Sequence, residues 1–131
     1  MKYAALVYYS EHTMSQLTQA EWDALNQECM ACGEDLQQRG YMLGGQALQP
    51  VQNATTLRVR DKQLQLSDGP FAETKEQLAG FYLLEANDLN EAINLASKIP
   101  PARYGSIEIR PVRELSTQDN EHYQQSLRSV I

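Results

Sequence analysis

Asp68-Gly69-Pro70-Phe71-Ala72-Glu73-Thr74-Lys75-Glu76-Gln77-Leu78-Ala79-Gly80-Phe81-Tyr82-Leu83-Leu84-Glu85 sets a tight turn, a charged cluster and an apolar strand one after another. Glycine accepts positive φ, proline fixes its own φ and drives the residue before it out of the helical region, and an aspartate bonds forward to backbone N–H groups. The first four residues therefore describe one backbone shape. Gly80 to Glu85 has the length and composition of a buried strand.

Outward from this stretch, strand and helix patterns alternate. Upstream, Gln63-Leu64-Gln65-Leu66 alternates as a strand, Asp61-Lys62 reads as a turn, and Ala54 to Arg60, with Thr55, Thr56, Leu57 and Val59, reads as the other arm of a hairpin. Before it, Tyr41 to Gly45 leads out of a helix, Gly44-Gly45 marks a close backbone approach, and Ala47-Leu48-Gln49-Pro50 ends the excursion. The helix opens on a capping box, Thr18 with Glu21. It carries Trp22, Leu25, Cys29, Cys32 and Leu36 at helical spacing and closes at Arg39-Gly40. Tyr3 to Tyr9, nearly all apolar or aromatic, is the first strand. Downstream, Asp88 with Glu91 predicts a second capping box. Leu89, Ala92, Ile93, Ala96 and Ile99 form the apolar face of a helix that stops at Pro100-Pro101, and Ser106 to Val112 is a last strand with Ile107, Ile109 and Pro111 facing one way. The order βαββαβ with an extra hairpin predicts an α+β fold in which both helices cover one face of an antiparallel sheet. The other face is left open, which predicts a homodimer through the open sheet face.

The chain has 131 residues, 42% hydrophobic and 21% charged, enough for one domain with a single core. The reading divides it into a domain over 1–115 and a polar C-terminal tail over 116–131. No run approaches the roughly 18 apolar residues of a membrane span, and Met1 to His12 shows no cleavage-site pattern, so the expectation is a cytoplasmic protein without a membrane partner. A net charge of −6 argues against nucleic acid, which needs clustered Lys and Arg; the densest basic run, Arg58-Val59-Arg60-Asp61-Lys62, reads as an exposed strand face and turn. Cys29 and Cys32 form a C-x-x-C late in a helix rather than at its start. With only His12 and His122 elsewhere, they read as structural thiols, with no metal and no cofactor expected.

The chain resembles the YCII-related family, and within it the DGPF subgroup. The residues that carry the resemblance are Leu48-Gln49-Pro50, Ala54-Thr55-Thr56, the run Asp68 to Leu78, Gly80-Phe81-Tyr82, Ile99-Pro100 and Arg103 to Pro111, so that it spans Met1 to about Val112. The resemblance implies a ferredoxin-like domain that forms a dimeric α/β barrel, and a function unestablished for most members. It also implies gene neighbourhoods that include alternative sigma factors. Two departures stand out. Gln46 follows Gly45 where the family often has Glu, and no His lies between Trp22 and Leu36, where other branches are described as pairing a helix His with an Asp.

The chemistry left near the central turn is Asp68, Glu73, Lys75 and Glu76, with Tyr82 on the next strand and Arg103 and Tyr104 before the last one. Asp68 reads either as the cap of its turn or as a catalytic carboxylate facing a pocket between hairpin and partner subunit. Lys75, Tyr82, Arg103 and Tyr104 are the candidate pocket or anion-binding residues, against readings as a solvated turn, packing aromatics and a structural ion pair. His12 and His122 read as surface residues. Three functions follow: a small dimeric ligand-binding or accessory module; a cofactor-independent lyase or isomerase with Asp68 as base and Arg103 or Tyr82 as electrostatic support, acting on a small, aromatic-type substrate; and an interaction partner of sigma-factor-linked transcription.

Overall fold

A computed structural model describes residues 1–115; the tail from 116 to 131 lies outside the described residues. The elements are β1 (Lys2–Tyr9), α1 (Glu11–Met14), α2 (Gln19–Gln38), β2 (Met42–Ala47), β3 (Thr55–Arg60), β4 (Gln63–Asp68), β5 (Gln77–Glu85), α3 (Leu89–Ala96) and β6 (Ser106–Pro111). Single 3₁₀ turns occupy Val51–Asn53 and Pro100–Arg103. Four strands form one antiparallel sheet in the order β2-β5-β1-β6, and β3 with β4 form a separate two-stranded sheet. Among the described residues this is a mixed α+β arrangement with three helices, consistent with a ferredoxin-like unit whose β2–β5 connection carries an inserted hairpin.

The apolar first strand takes a central place because both its neighbours arrive late in the chain. Tyr3 pairs with Leu84 and Pro111, Ala5 with Tyr82 and Ile109, and Val7 with Gly80 and Ile107. Side chains directly opposite share a face. Tyr3, Ala5, Val7 and Leu84 are accordingly buried under the helices, with Tyr82, Ile107 and Ile109 packed against them. The alternate set, Ala4, Leu6, Phe81 and Leu83, turns to the face that none of the described helices covers, where Phe81 is 38% exposed.

Thr18 and Glu21 form the expected capping box, and Gly40, at φ +80, follows the C-cap Arg39. The second box differs. Asp88 accepts from the Glu91 N–H, but the Glu91 carboxylate turns back to the backbone and side-chain nitrogens of Asn87. The stripe on α3 also differs from the sequence reading. Ala92, Leu95, Ala96 and the following Ile99 are buried, while Leu89 and Ile93 are 50% and 48% exposed. Two alanines let the short helix approach the sheet closely, and this centres the contact roughly a quarter-turn from Leu89 and Ile93. The sequence reading also missed α1, whose N-cap Ser10 accepts from the Thr13 N–H.

Candidate functional site

The central turn is built as its residues require. Gly69 sits at φ +91, a region other residues rarely adopt, and its N–H donates to the Ala54 carbonyl at 2.7 Å. Its own carbonyl accepts from Thr56 Oγ1 at 2.8 Å, so the start of β3 clasps the turn from both sides. The β3–β4 register sets Thr55 opposite Asp68, Leu57 opposite Leu66 and Val59 opposite Leu64 on one face; Thr56 with Ser67, Arg58 with Gln65 and Arg60 with Gln63 occupy the other. Asp68 therefore shares a face with four aliphatic side chains. It is exposed, and among the described residues its carboxylate has no hydrogen-bond or ion-pair partner.

Beside the base of the hairpin, at Ala54, Thr56 and Gly69, lies an open cleft of about 1140 Å³. Tyr8 and Leu78, paired across β1 and β5, line it, with walls from Pro50 and Val51 and from Pro70 and Phe71. Glu11 and His12 of α1 also reach it. Glu11 ties the end of β1 to both walls. Its N–H donates to Gln77 Oε1 at 2.8 Å, and its carboxylate accepts from the Val51 N–H at 3.0 Å. Gln77 Nε2 in turn donates to the Thr74 carbonyl at 2.6 Å. The position of Ser10-Glu11-His12 directly after a core strand was the sequence signal that these side chains lie at a sheet end.

On the opposite face of the sheet a second cavity, of about 520 Å³, opens between α2 and strands β1, β2 and β5. Of the 20 residues of α2 only Leu25 and Leu36 are fully buried, and the positions between them that line the cavity include Cys29 and Gly33. Small residues across from the helix, among them Gly45, Ala79 and Gly80, leave the space unfilled. Gly45 is also the close approach its sequence suggested, since a Cβ there would come within 2.6 Å of the Phe81 carbonyl oxygen. Trp22 and Met42 contribute to the walls, Asn26, Glu34, Gln37 and Gln46 add polar side chains, and Tyr9, Tyr82 and Cys29 bring two hydroxyls and a thiol.

Burial governs the chemistry of those three groups. It pushes the Tyr82 phenol up to about 12, with the Cys29 and Cys32 sulfurs adding in the same direction. Tyr9 is raised chiefly by burial and then by Glu11 and Cys29. Both thiols are raised, again chiefly by burial, with Cys32 and Glu28 adding for Cys29 and Asp35 for Cys32. At neutral pH all four keep their protons, so the phenols and thiols are weak, uncharged hydrogen-bond donors rather than nucleophiles. Cys29 and Cys32 are free, and Cys32 Sγ lies 3.6 Å from the Lys98 carbonyl oxygen. Among the described residues no group of three or more His, Cys, Asp or Glu side chains converges as a metal site.

The residues singled out in the sequence fall in separate places. Asp68 and Lys75 are exposed on the hairpin and the loop after it, and Tyr82 points into the helix-side cavity. Arg103 Nη2 pairs with Glu28 Oε2 of α2 at 2.8 Å, and its guanidinium lies over the Tyr104 ring, 5.9 Å from the centroid. Glu76 accepts from Ser106 Oγ at 2.8 Å, joining the loop to the start of β6. Neither the cleft nor the cavity is lined by Asp68, Lys75, Arg103 or Tyr104.

Among the described residues no helix is long and apolar enough to cross a membrane. The chain is similar to an uncharacterised protein of Rhizobium meliloti (strain 1021), 36% identical over 114 residues that make up 86% of this chain and 92% of that protein. The YCII-related domain matches residues 1–116, and the chain belongs to the YCII-related family.

Proposed function

We propose that this protein is a small, dimeric ligand-binding module of the DGPF subgroup that takes an uncharged, ring-sized molecule into the cavity between α2 and the sheet and releases it unchanged. The observation that carries this reading is the cavity's mixed lining: the uncharged donors Tyr9, Tyr82 and Cys29 and the amides Asn26, Gln37 and Gln46, set among Trp22, Leu25 and Met42. Such a site offers hydrogen-bond donors to a neutral acceptor and apolar walls to a ring. Its volume of about 520 Å³ suits a small ligand. Among the described residues Glu34 is the charged side chain along it, which disfavours an anion. Asp68 and Lys75 stand outside it. Ala4, Leu6, Phe81 and Leu83, on the sheet face that the described helices leave open, support the dimer.

Ligand-observed NMR with acetophenone, a neutral ring with a carbonyl acceptor, and with benzoate tests the proposal. Acetophenone is expected to bind and benzoate not. Tyr82→Phe is expected to weaken acetophenone about five- to tenfold, the loss of one hydrogen bond worth about 1 kcal/mol. Absence of acetophenone binding up to its solubility would overturn the reading. Turnover of a ring compound that Asp68→Asn abolished would replace it with the lyase or isomerase.

A further inference from the structure

We infer that the β3–β4 hairpin is an arm that reaches onto a second copy of this chain and lays its aliphatic face on the open sheet face of that copy. The inference rests on the dimer proposed above and adds to it an element that the sheet faces alone do not involve.

The hairpin has a sharply divided character. Leu57, Val59, Leu64 and Leu66 lie together on one face and are each between 57% and 64% exposed, whereas the reverse face is Thr56, Arg58, Arg60, Gln63, Gln65 and Ser67. A two-stranded hairpin is marginal by itself in water and gains its stability from what covers its apolar side. Within one chain, nothing described covers this one. Four aliphatic side chains so exposed leave roughly 300 Å² of contiguous apolar surface, a size that marks an interaction site, yet well short of the roughly 800 Å² each partner gives to a stable dimer. The open sheet face, with Leu6, Phe81 and Leu83, supplies a second apolar patch. Under a two-fold axis each copy gives its arm and receives the other's, so both patches are covered twice by one self-complementary contact.

The hairpin from Thr55 to Asp68 carries three of the chain's 11 Lys and Arg residues against two of its 17 Asp and Glu, which leaves the rest of the chain at a net −7. Arg58 and Arg60 lie on the reverse face of the arm, and the open sheet face carries Lys2 and Arg110 beside Glu85 and Glu108, so apolar area rather than charge carries the contact. Asp68, on the aliphatic face of the arm, falls at the rim of the contact.

Light scattering combined with hydrogen exchange tests the arm separately from the dimer. The wild-type chain is expected at twice its 14.8 kDa mass, with β3–β4 amides that become more protected as protein concentration rises. The double substitution Leu57→Ser, Leu66→Ser is expected to raise the dimer dissociation constant at least about tenfold, while Leu89→Ser, Ile93→Ser on α3 leaves it unchanged. A Leu57→Ser, Leu66→Ser protein that dimerised like wild type, with wild-type arm amides unprotected, would overturn the arm and leave the sheet-face dimer standing. A 14.8 kDa particle would overturn both. Arm protection independent of concentration would show the arm covered by its own chain and likewise overturn the inference.

Discussion

Gly105 lies so close to Tyr8 that a Cβ on it would overlap the Tyr8 carbonyl oxygen and come within 2.8 Å of Tyr9 Cα. The contact is with backbone, which cannot swing aside as a long side chain would. Gly105 also donates its N–H to the Pro101 carbonyl at 3.0 Å, closing the 3₁₀ turn that delivers β6 to the edge of β1. Gly105→Ala is therefore expected to destabilise the fold by about 2–3 kcal/mol, read as a lower urea midpoint at unchanged slope. An unchanged midpoint would mean that β6 can dock without this approach.

Lys62 carries φ 63 beside Asp61 at φ 52, so the two-residue turn of the hairpin holds two non-glycine residues in the left-handed region. Aspartate tolerates that conformation and lysine does so at a cost. Lys62→Gly should relieve about 1 kcal/mol of strain, partly offset by the greater freedom of glycine in the unfolded chain. Hydrogen exchange of the β3 and β4 amides should slow by about two- to fivefold; faster exchange would contradict this.

Tyr82 titrates near 12 in the fold against about 10 when unfolded, so the folded state holds its proton longer. The contribution is fully present below pH 10 and is lost as pH climbs from 10 to about 12, where only the unfolded chain gains from ionising. Thermal melts of wild type should fall more steeply through that window than those of Tyr82→Phe, which has no phenol to ionise there. Parallel curves would place Tyr82 in contact with water.

The Arg103–Glu28 pair is 57% and 46% exposed on its two sides, where solvent screens ion pairs strongly. Arg103→Gln should therefore lower the melting temperature far less than Gly105→Ala, with acetophenone binding unaltered. A large loss of binding would bring Arg103 into the ligand's surroundings.

Much of the fold was legible because it rests on local signals. Thr18 and Glu21 announced the start of α2, Arg39-Gly40 its end, and the alternation in Gln63 to Leu66 the arm of a hairpin. The stripe on α3 was misread because which of several apolar positions meets the sheet depends on how closely Ala92 and Ala96 let the helix approach. For the site, the turn at Gly69 was readable, but the face of Asp68 was not. Its direction is fixed by the pairing parity of a hairpin whose register depends on a two-residue turn. The helix-side cavity left no trace in the sequence, since it arises where Gly33, Gly45 and Gly80 fail to fill space between elements far apart in the chain. His12 looked like a surface residue and is one by exposure, yet its short helix brings it to the cleft beside Glu11.

Strand order also governs what a growing chain can do. Among the described residues β1 pairs only with β5 and β6, and β2 only with β5, so the first strand made has none of these partners until residues 77–85 have been synthesised and is not flanked on both sides until Pro111. Through that interval Tyr3, Ala5 and Val7 wait unpaired, and the one strand pairing open to the nascent polypeptide is the β3–β4 hairpin, complete by Asp68.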